Sequence, residues 1–307
     1  MYNESPFIAQ VRLLLRCLPL LSEQNKFALK GGTAINLFLQ NMPRLSVDID
    51  LTYVPIQDRK TTLFEISQHL HNMANTITKH YPDVLVKEDF SKEIGSIVKL
   101  YVYHEKSMIK IEPNFITRGT LYPLVQGKLC NRAANYFQAS IQNIPMLDAA
   151  EVYGGKLCAA LDRQHPRDLF DVKLLFETSG ITDNIRQAFV VYLASSPNPI
   201  SNLLSPNLLN IKNAYQEDFL NMTEQHIPLS DLLSVRDRLI EELPLSLSEK
   251  ERLFLLSLKQ GEPDYSLLPF SHLHTLPGIQ WKLLNIKRMD KKKHAFMVDK
   301  LKAILKI

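Results

Sequence analysis

Residues 46–51 read Ser-Val-Asp-Ile-Asp-Leu, and this alternation constrains the fold more than any other stretch of the chain. Side chains on a strand point to opposite faces in turn, so residues two apart share a face. Val47, Ile49 and Leu51 are therefore expected to enter a core, while Asp48 and Asp50 project together from the other face. Two neighbouring carboxylates repel, and either solvent or a bound cation offsets the repulsion. Mg²⁺ takes hard oxygen ligands, often one or two carboxylates plus substrate phosphates. On these residues alone, a half-exposed strand with polar outer positions explains the pair at least as well.

The stretch upstream adds a second element. "KFALK" reads as a short strand, Gly31 and Gly32 end it, and "TAINLFLQN" reads as a helix beginning near Thr33. Glycine lacks a Cβ and lets backbone approach a ligand closely. The free N–H groups of a helix start attract anions, and the Thr33 hydroxyl can add a donor. A plain strand-to-helix turn also accounts for two glycines. What is specific is the order: strand, G-G-T, helix, then Ser46-x-Asp48-x-Asp50 on a strand.

Further on, Leu63, Ile66, Leu70, Met73 and Ile77 recur at helical spacing. "SIVKLYVYH" and "SMIKIEPNF" alternate, and the two-residue link Glu105-Lys106 predicts an antiparallel hairpin. On the second of these strands, Met108, Lys110 and Glu112 share the face opposite Ile109 and Ile111. If it pairs beside the Asp48–Asp50 strand, Glu112 joins the two aspartates. Three carboxylates can hold two Mg²⁺ ions about 4 Å apart, the arrangement that serves phosphoryl transfer. An ion pair of Glu112 with Lys99 or Lys110 is the competing reading, and Pro113 is expected to end the strand early.

Beyond about residue 140 the pattern turns helical. "MLDAAEVYGGKLCAALDRQ" has helical periodicity with Asp148 as N-cap. In the next segment Pro166 suits a first turn and Gly180 a C-terminal stop. Proline-containing breaks fall around residues 197–206 and 263–277. With 307 residues, 45% hydrophobic, the chain has enough apolar side chains for one large or two modest domains. The expectation is an α+β domain over residues 1–140 and a helical domain over residues 141–307.

The formal charge of +4 is compatible with nucleic acid without pointing to it. Cys17, Cys130 and Cys158 form no C-x-x-C pair, which argues against a disulfide framework or zinc knuckle and for a reducing compartment. "VRLLLRCLPLL" is short and interrupted by Arg12 and Arg16, so it reads as an amphipathic helix rather than a signal peptide. No stretch approaches the roughly 18 apolar residues of a membrane helix. A soluble, cytoplasmic protein without membrane partners is expected.

The order of glycine turn and D-x-D strand resembles the polymerase-beta-like nucleotidyltransferase superfamily. "LKGGTAINLF", "RLSVDIDL", "IKIEPN", "EVYGGKLCAALDRQHPRDLFDV" and "LPGIQWKLLNIKRM" together resemble the AbiEii/AbiGii toxin family, over roughly residues 26–300. The resemblance implies a mixed sheet with helices followed by a helical domain. It implies that Gly31, Gly32, Thr33 and Ser46 hold nucleotide phosphates, and that Asp48 and Asp50 bind Mg²⁺. Glu112 falls where many superfamily members place an acidic residue. Lys156, Asp168 and Asp171 match later functional positions of the family.

The residues themselves fit those roles and duller ones. Lys156 lies on a helix among Leu157, Ala159, Ala160 and Leu161, and it can meet β- and γ-phosphates or snorkel at the surface. Asp168 and Asp171 share a helix face, and Asp168 also suits a helix start. The implied reaction is Mg²⁺-dependent transfer of a nucleoside monophosphate from an NTP, with the tRNA 3′ end as acceptor and translation blocked. A cognate antitoxin from the same operon is implied, with or without a stable complex. Asp48→Ala and Lys156→Ala are expected to abolish activity without unfolding the chain. The basic run Lys287, Arg288, Lys291, Lys292 and Lys293 suits RNA phosphates or a solvated helix start capped by Asp290. A small-molecule nucleotidyltransferase and a non-catalytic nucleotide-binding protein are the alternatives.

Overall fold

In the computed structural model, residue 2, residues 5–21 and residues 26–307 are described. The chain divides into two compact units: Met1–Val152 with Leu220–His226, and Tyr153–Phe219 with Ile227–Ile307.

The first unit is built on one mixed sheet. Its strands are β1 (Phe27–Lys30), β2 (Asp48–Tyr53), β3 (Leu85–Ser91), β4 (Ser96–His104), β5 (Ser107–Asn114), β6 (Val125–Gly127) and β7 (Ile144–Met146), in the spatial order β3-β4-β5-β2-β1-β7-β6. The β4–β5 hairpin turns through Glu105 and Lys106, with Glu105 at φ 51°. β2 runs parallel to β5 and antiparallel to β1. Alternation along β2 and β5 buries Ile49, Leu51, Ile109 and Ile111 and leaves Asp48, Asp50, Lys110 and Glu112 half-exposed. Residues in direct register share a face, so the parallel pairing puts Glu112 beside Asp50.

β5 does not stop before Pro113, as the sequence suggested; it runs on to Asn114, with Leu51 opposite Pro113. Pairing with β4 ends at Ile111. Beyond that point β5 is paired on one side only, the situation in which strands accept a proline.

Helices cover the sheet. α1 (Ile8–Cys17) buries Val11, Leu13, Leu14 and Leu15, and Gln10 Nε2 donates to the Met108 carbonyl on β5. α2 (Gly31–Thr33) is a single turn that widens into a π-helical stretch, Ala34–Leu39. α3 (Arg59–His80) starts at the Asp58 N-cap and buries Ile66, Leu70, Met73 and Ile77 against the sheet. α4 (Asn131–Phe137) follows β6, and the division between units falls within α5 (Ala149–Arg163). The amide of Ala150 donates to Asp148 Oδ1, the expected cap. The Leu220–His226 segment joins this unit because the Leu45 amide donates to the Met222 carbonyl and Arg44 bridges to Thr223.

Described elements of the second unit are helical. They are α6 (Pro166–Glu177), α7 (Asp183–Ser195), α8 (Ile200–Leu204), α9 (Lys212–Asp218), α10 (Leu229–Ser246), α11 (Glu249–Gln260), α12 (Pro277–Lys287) and α13 (Lys291–Leu305), with short 3₁₀ turns between α11 and α12. α5 lies close against α7. A Cβ at Gly154 would fall 2.7 Å from the Phe189 amide nitrogen, and one at Gly155 would meet the Tyr192 ring at 3.0 Å. This second glycine pair is thus a helix-crossing device, unlike the pair at Gly31–Gly32. No described helix is long and apolar enough to cross a membrane.

Candidate active site

The first unit gathers Gly31, Gly32, Thr33, Ser46, Asp48, Asp50 and Glu112. Gly31 has φ +73°, and a Cβ there would lie 2.2 Å from Asp50 Oδ2. The glycine is required twice, by its backbone angle and by the carboxylate against it. A Cβ on Gly32 would meet Arg44 Nη2 at 2.8 Å and Ser46 Oγ at 3.2 Å. The turn is therefore packed directly on the residues that lead into β2.

Thr33 is fully buried. Its hydroxyl donates to the Asp48 carbonyl at 2.6 Å and lies 2.9 Å from the Ser46 hydroxyl. Thr33 and Ser46 thereby brace the glycine turn to the start of β2. The helix begins at Gly31 rather than near Thr33. Asn36 Nδ2 donates to the Gly32 carbonyl at 2.9 Å, and the Gln40 amide reaches the Ile35 carbonyl, five residues back. That i→i+5 bond is the π-type widening often found at functional sites. Arg44, 2% exposed, donates from Nη1 to the Leu45 carbonyl. Sequence reading did not single out Arg44, because an arginine next to a strand ordinarily reads as solvated.

The register sets charges side by side on the half-exposed face. Lys110 stands opposite Asp48, and Asp50 is flanked by Lys30 on β1 and Glu112 on β5. Glu112 Oε1 is 2.5 Å from Lys99 Nζ. That hydrogen bond holds the Lys99 ammonium above its ordinary pKa, against the smaller effect of burial. Among the described residues, no three acidic, histidine or cysteine side chains stand in a metal-ligating cluster.

The second unit holds Lys156, Asp168 and Asp171. Lys156 Nζ lies 2.7 Å from Asp168 Oδ1 and 3.0 Å from Asp171 Oδ2, and all three residues are buried. Arg163 Nε adds a bond to Asp168 Oδ2 at 2.6 Å. Burial alone would raise the Asp168 pKa, but Lys156 and Arg163 outweigh it and hold the carboxyl well below the usual range. His165 caps α6, its Nδ1 accepting from the Arg167 amide at 3.1 Å. Burial lowers the His165 pKa and so favours the neutral ring that accepting requires. Lys156 is not a surface lysine, and its removal would leave two buried carboxylates facing each other. The expectation that Lys156→Ala spares the fold therefore does not survive this geometry. The run from Lys287 to Lys293 is exposed, apart from half-buried Met289, and Asp290 caps α13 by accepting from the Lys293 amide.

A glycine turn is thus packed on a two-aspartate strand within a mixed sheet. The sequence matches the model of the family described as "Nucleotidyl transferase AbiEii toxin, Type IV TA system" over residues 12–285. The chain belongs to that family, the nucleotidyltransferase toxins of type IV toxin–antitoxin systems. Among solved structures, it is similar to MenT4, a nucleotidyltransferase toxin from Mycobacterium tuberculosis H37Rv. The two share 14% identity and a TM-score of 0.62, covering 91% of this chain and 92% of that one, which shows a common fold. No curated protein sequence matches the chain. Family membership brings with it an NTP substrate and a cognate antitoxin.

Proposed function

We propose that the chain transfers a nucleoside monophosphate from an NTP to the 3′-terminal hydroxyl of tRNA, releasing pyrophosphate and so inhibiting translation. The observation that carries this is the carboxylate pair of β2 seated against Gly31, with Glu112 in register beside Asp50. The donors are all oxygen and half-exposed, which fits Mg²⁺ shared between carboxylates and substrate phosphates. When bound, the ion supplies charge at the phosphoryl oxygens and lowers the pKa of the attacking hydroxyl.

The chain's own residues do the positioning, on which most of the rate depends in phosphoryl chemistry. Asp48 and Asp50 would hold the ion. Gly31 and Gly32 let the turn sit directly on Asp50, Arg44 and Ser46, its backbone N–H groups being assigned to the triphosphate, and Thr33 and Ser46 fix it relative to Asp48. Glu112, in register beside Asp50, would add a further oxygen donor. Lys156, held between Asp168 and Asp171, keeps a positive charge buried within the second unit.

The test is incubation with Mg²⁺, each α-³²P-labelled NTP in turn and total bacterial RNA, with Asp48→Ala as control. A labelled band of tRNA length that the control lacks is the expected result. Label on protein, or none with any NTP, would remove tRNA as the acceptor.

A further inference from the structure

Helix α12 carries the chain's single tryptophan beside a buried lysine, Trp281 and Lys282. Together with α11, α13 and the segment leading into α8, it walls a cavity of about 170 Å³, lined by Lys259, Trp281, Lys282, Met289, Lys293 and Met297 among others. Every lining residue belongs to the second unit.

Lys282 and Lys259 are 9% and 8% exposed. Lys282 Nζ donates to the Asn198 carbonyl at 2.8 Å, and the Asn198 side chain is held by Asp162. The side-chain contact of Lys259 Nζ is the Met289 sulfur at 4.0 Å. Among the described residues, no carboxylate forms an ion pair with Lys259, Lys282 or Lys293. Each ammonium has three donors, and the protein supplies Lys282 Nζ with one backbone carbonyl and Lys259 Nζ with one sulfur. Burial lowers the Lys282 pKa to about 8, against an opposing pull from Cys158 and with a smaller push from Lys259. Burial and nearby Lys293 likewise lower that of Lys259. Buried charge of one sign without a partner is unfavourable in the free protein, and an anion relieves it.

The size and the aromatic narrow the ligand. A cavity of about 170 Å³ admits a phosphate group but not a whole nucleotide. Trp281, one of the lining residues, is 47% exposed. Ammonium groups along a backbone track with an aromatic beside them are how proteins hold single strands, since every base has a face to stack. We infer that the Lys259–Lys282–Lys293 cavity seats one phosphate of a single-stranded RNA while the adjoining base stacks on Trp281. This gives Lys293, alone of the exposed basic run, a phosphate-binding role within a built cavity.

Because Trp281 is the only tryptophan, its emission reports on the cavity directly. Asp48→Ala protein, in which transfer is disabled, is titrated with a single-stranded 12-nucleotide RNA, with ATP and with inorganic phosphate. RNA should quench Trp281 saturably, and neither ATP nor phosphate should do so at the same concentration. Lys282→Met and Lys259→Met, which keep the apolar stems, should each weaken RNA binding at least tenfold. Each should also flatten the salt dependence by about one unit of slope. Their thermal midpoints should not fall, as they would if the lysines were structural. Trp281→Ala, followed by anisotropy of labelled RNA, checks the stacking without relying on either lysine variant. No quenching by RNA, unchanged affinity in Lys282→Met, or equal quenching by ATP would each overturn the assignment. Because binding is read without turnover, failure here is separate from failure of the transferase assay.

Discussion

Lys156 stands 2.7 Å from Asp168 and 3.0 Å from Asp171, and all three side chains are withdrawn from solvent. Breaking a buried pair by deleting one partner typically costs about 3–5 kcal/mol, because the remaining charge is stranded. Lys156→Ala should therefore lose stability of that order in urea unfolding, beyond any effect on activity. The double variant Lys156→Ala/Asp171→Asn should recover part of the loss. An unchanged urea midpoint for Lys156→Ala would refute the stabilising pair.

The same cluster makes stability fall in acid. The Asp168 pKa is lower folded than unfolded. Its contribution is present above the unfolded value, about 3.9, and is lost as pH falls through the folded value. Between about pH 4 and pH 2 the parent protein should lose stability more steeply than Asp168→Asn. Parallel stability–pH curves over that window would show that Asp168 is not linked to folding in this way.

Gly31→Ala meets two obstacles at once, φ +73° and a contact of 2.2 Å with Asp50 Oδ2. The left-handed backbone alone costs an alanine about 1–2 kcal/mol. Relief of the clash must also move the carboxylate. Transfer activity should fall at least a hundredfold while thermal unfolding shifts by only several degrees. Comparable activity with a lowered midpoint would mean that Asp50 need not hold its place.

Glu112 is held by Lys99 at 2.5 Å. If Glu112 serves the metal, Lys99→Met frees it and should lower the Mg²⁺ concentration that gives half-maximal transfer. Glu112→Gln should raise it. Titrating Mg²⁺ in the labelled-NTP assay decides, and identical Mg²⁺ curves for both variants would exclude Glu112 from the ion site.

Much of the sheet was legible because alternation is a local pattern. Asp48–Tyr53, the β4–β5 hairpin and the α3 stripe can each be read from a window of fewer than about twenty residues. The placement of Glu112 beside Asp50 needed one further step, the pairing of two strands distant in sequence. What escaped depends on neighbours that no window contains. Arg44 is buried partly because Met222 and Thr223 return to its strand edge. Gly154–Gly155 looks like Gly31–Gly32 in sequence, yet its cause is the neighbouring helix α7. The isolation of Lys282 depends on which side chains three other elements supply, something one lysine in a helix cannot announce. The π widening after Thr33 turns on the Asn36 bond to Gly32, a detail below the reach of periodicity.

The parallel pairing of β2 with β5 also bears on when the carboxylates can come together. Between Asp50 and Glu112 in sequence lie α3 and the β3–β4–β5 meander, so their pairing closes a long loop. Pairings that close long loops form late in folding. A nascent chain carrying Asp48 and Asp50 but not yet β5 holds half of the acidic row and none of its register. Incomplete copies of the chain therefore lack the Asp50–Glu112 pairing, whatever the supply of antitoxin.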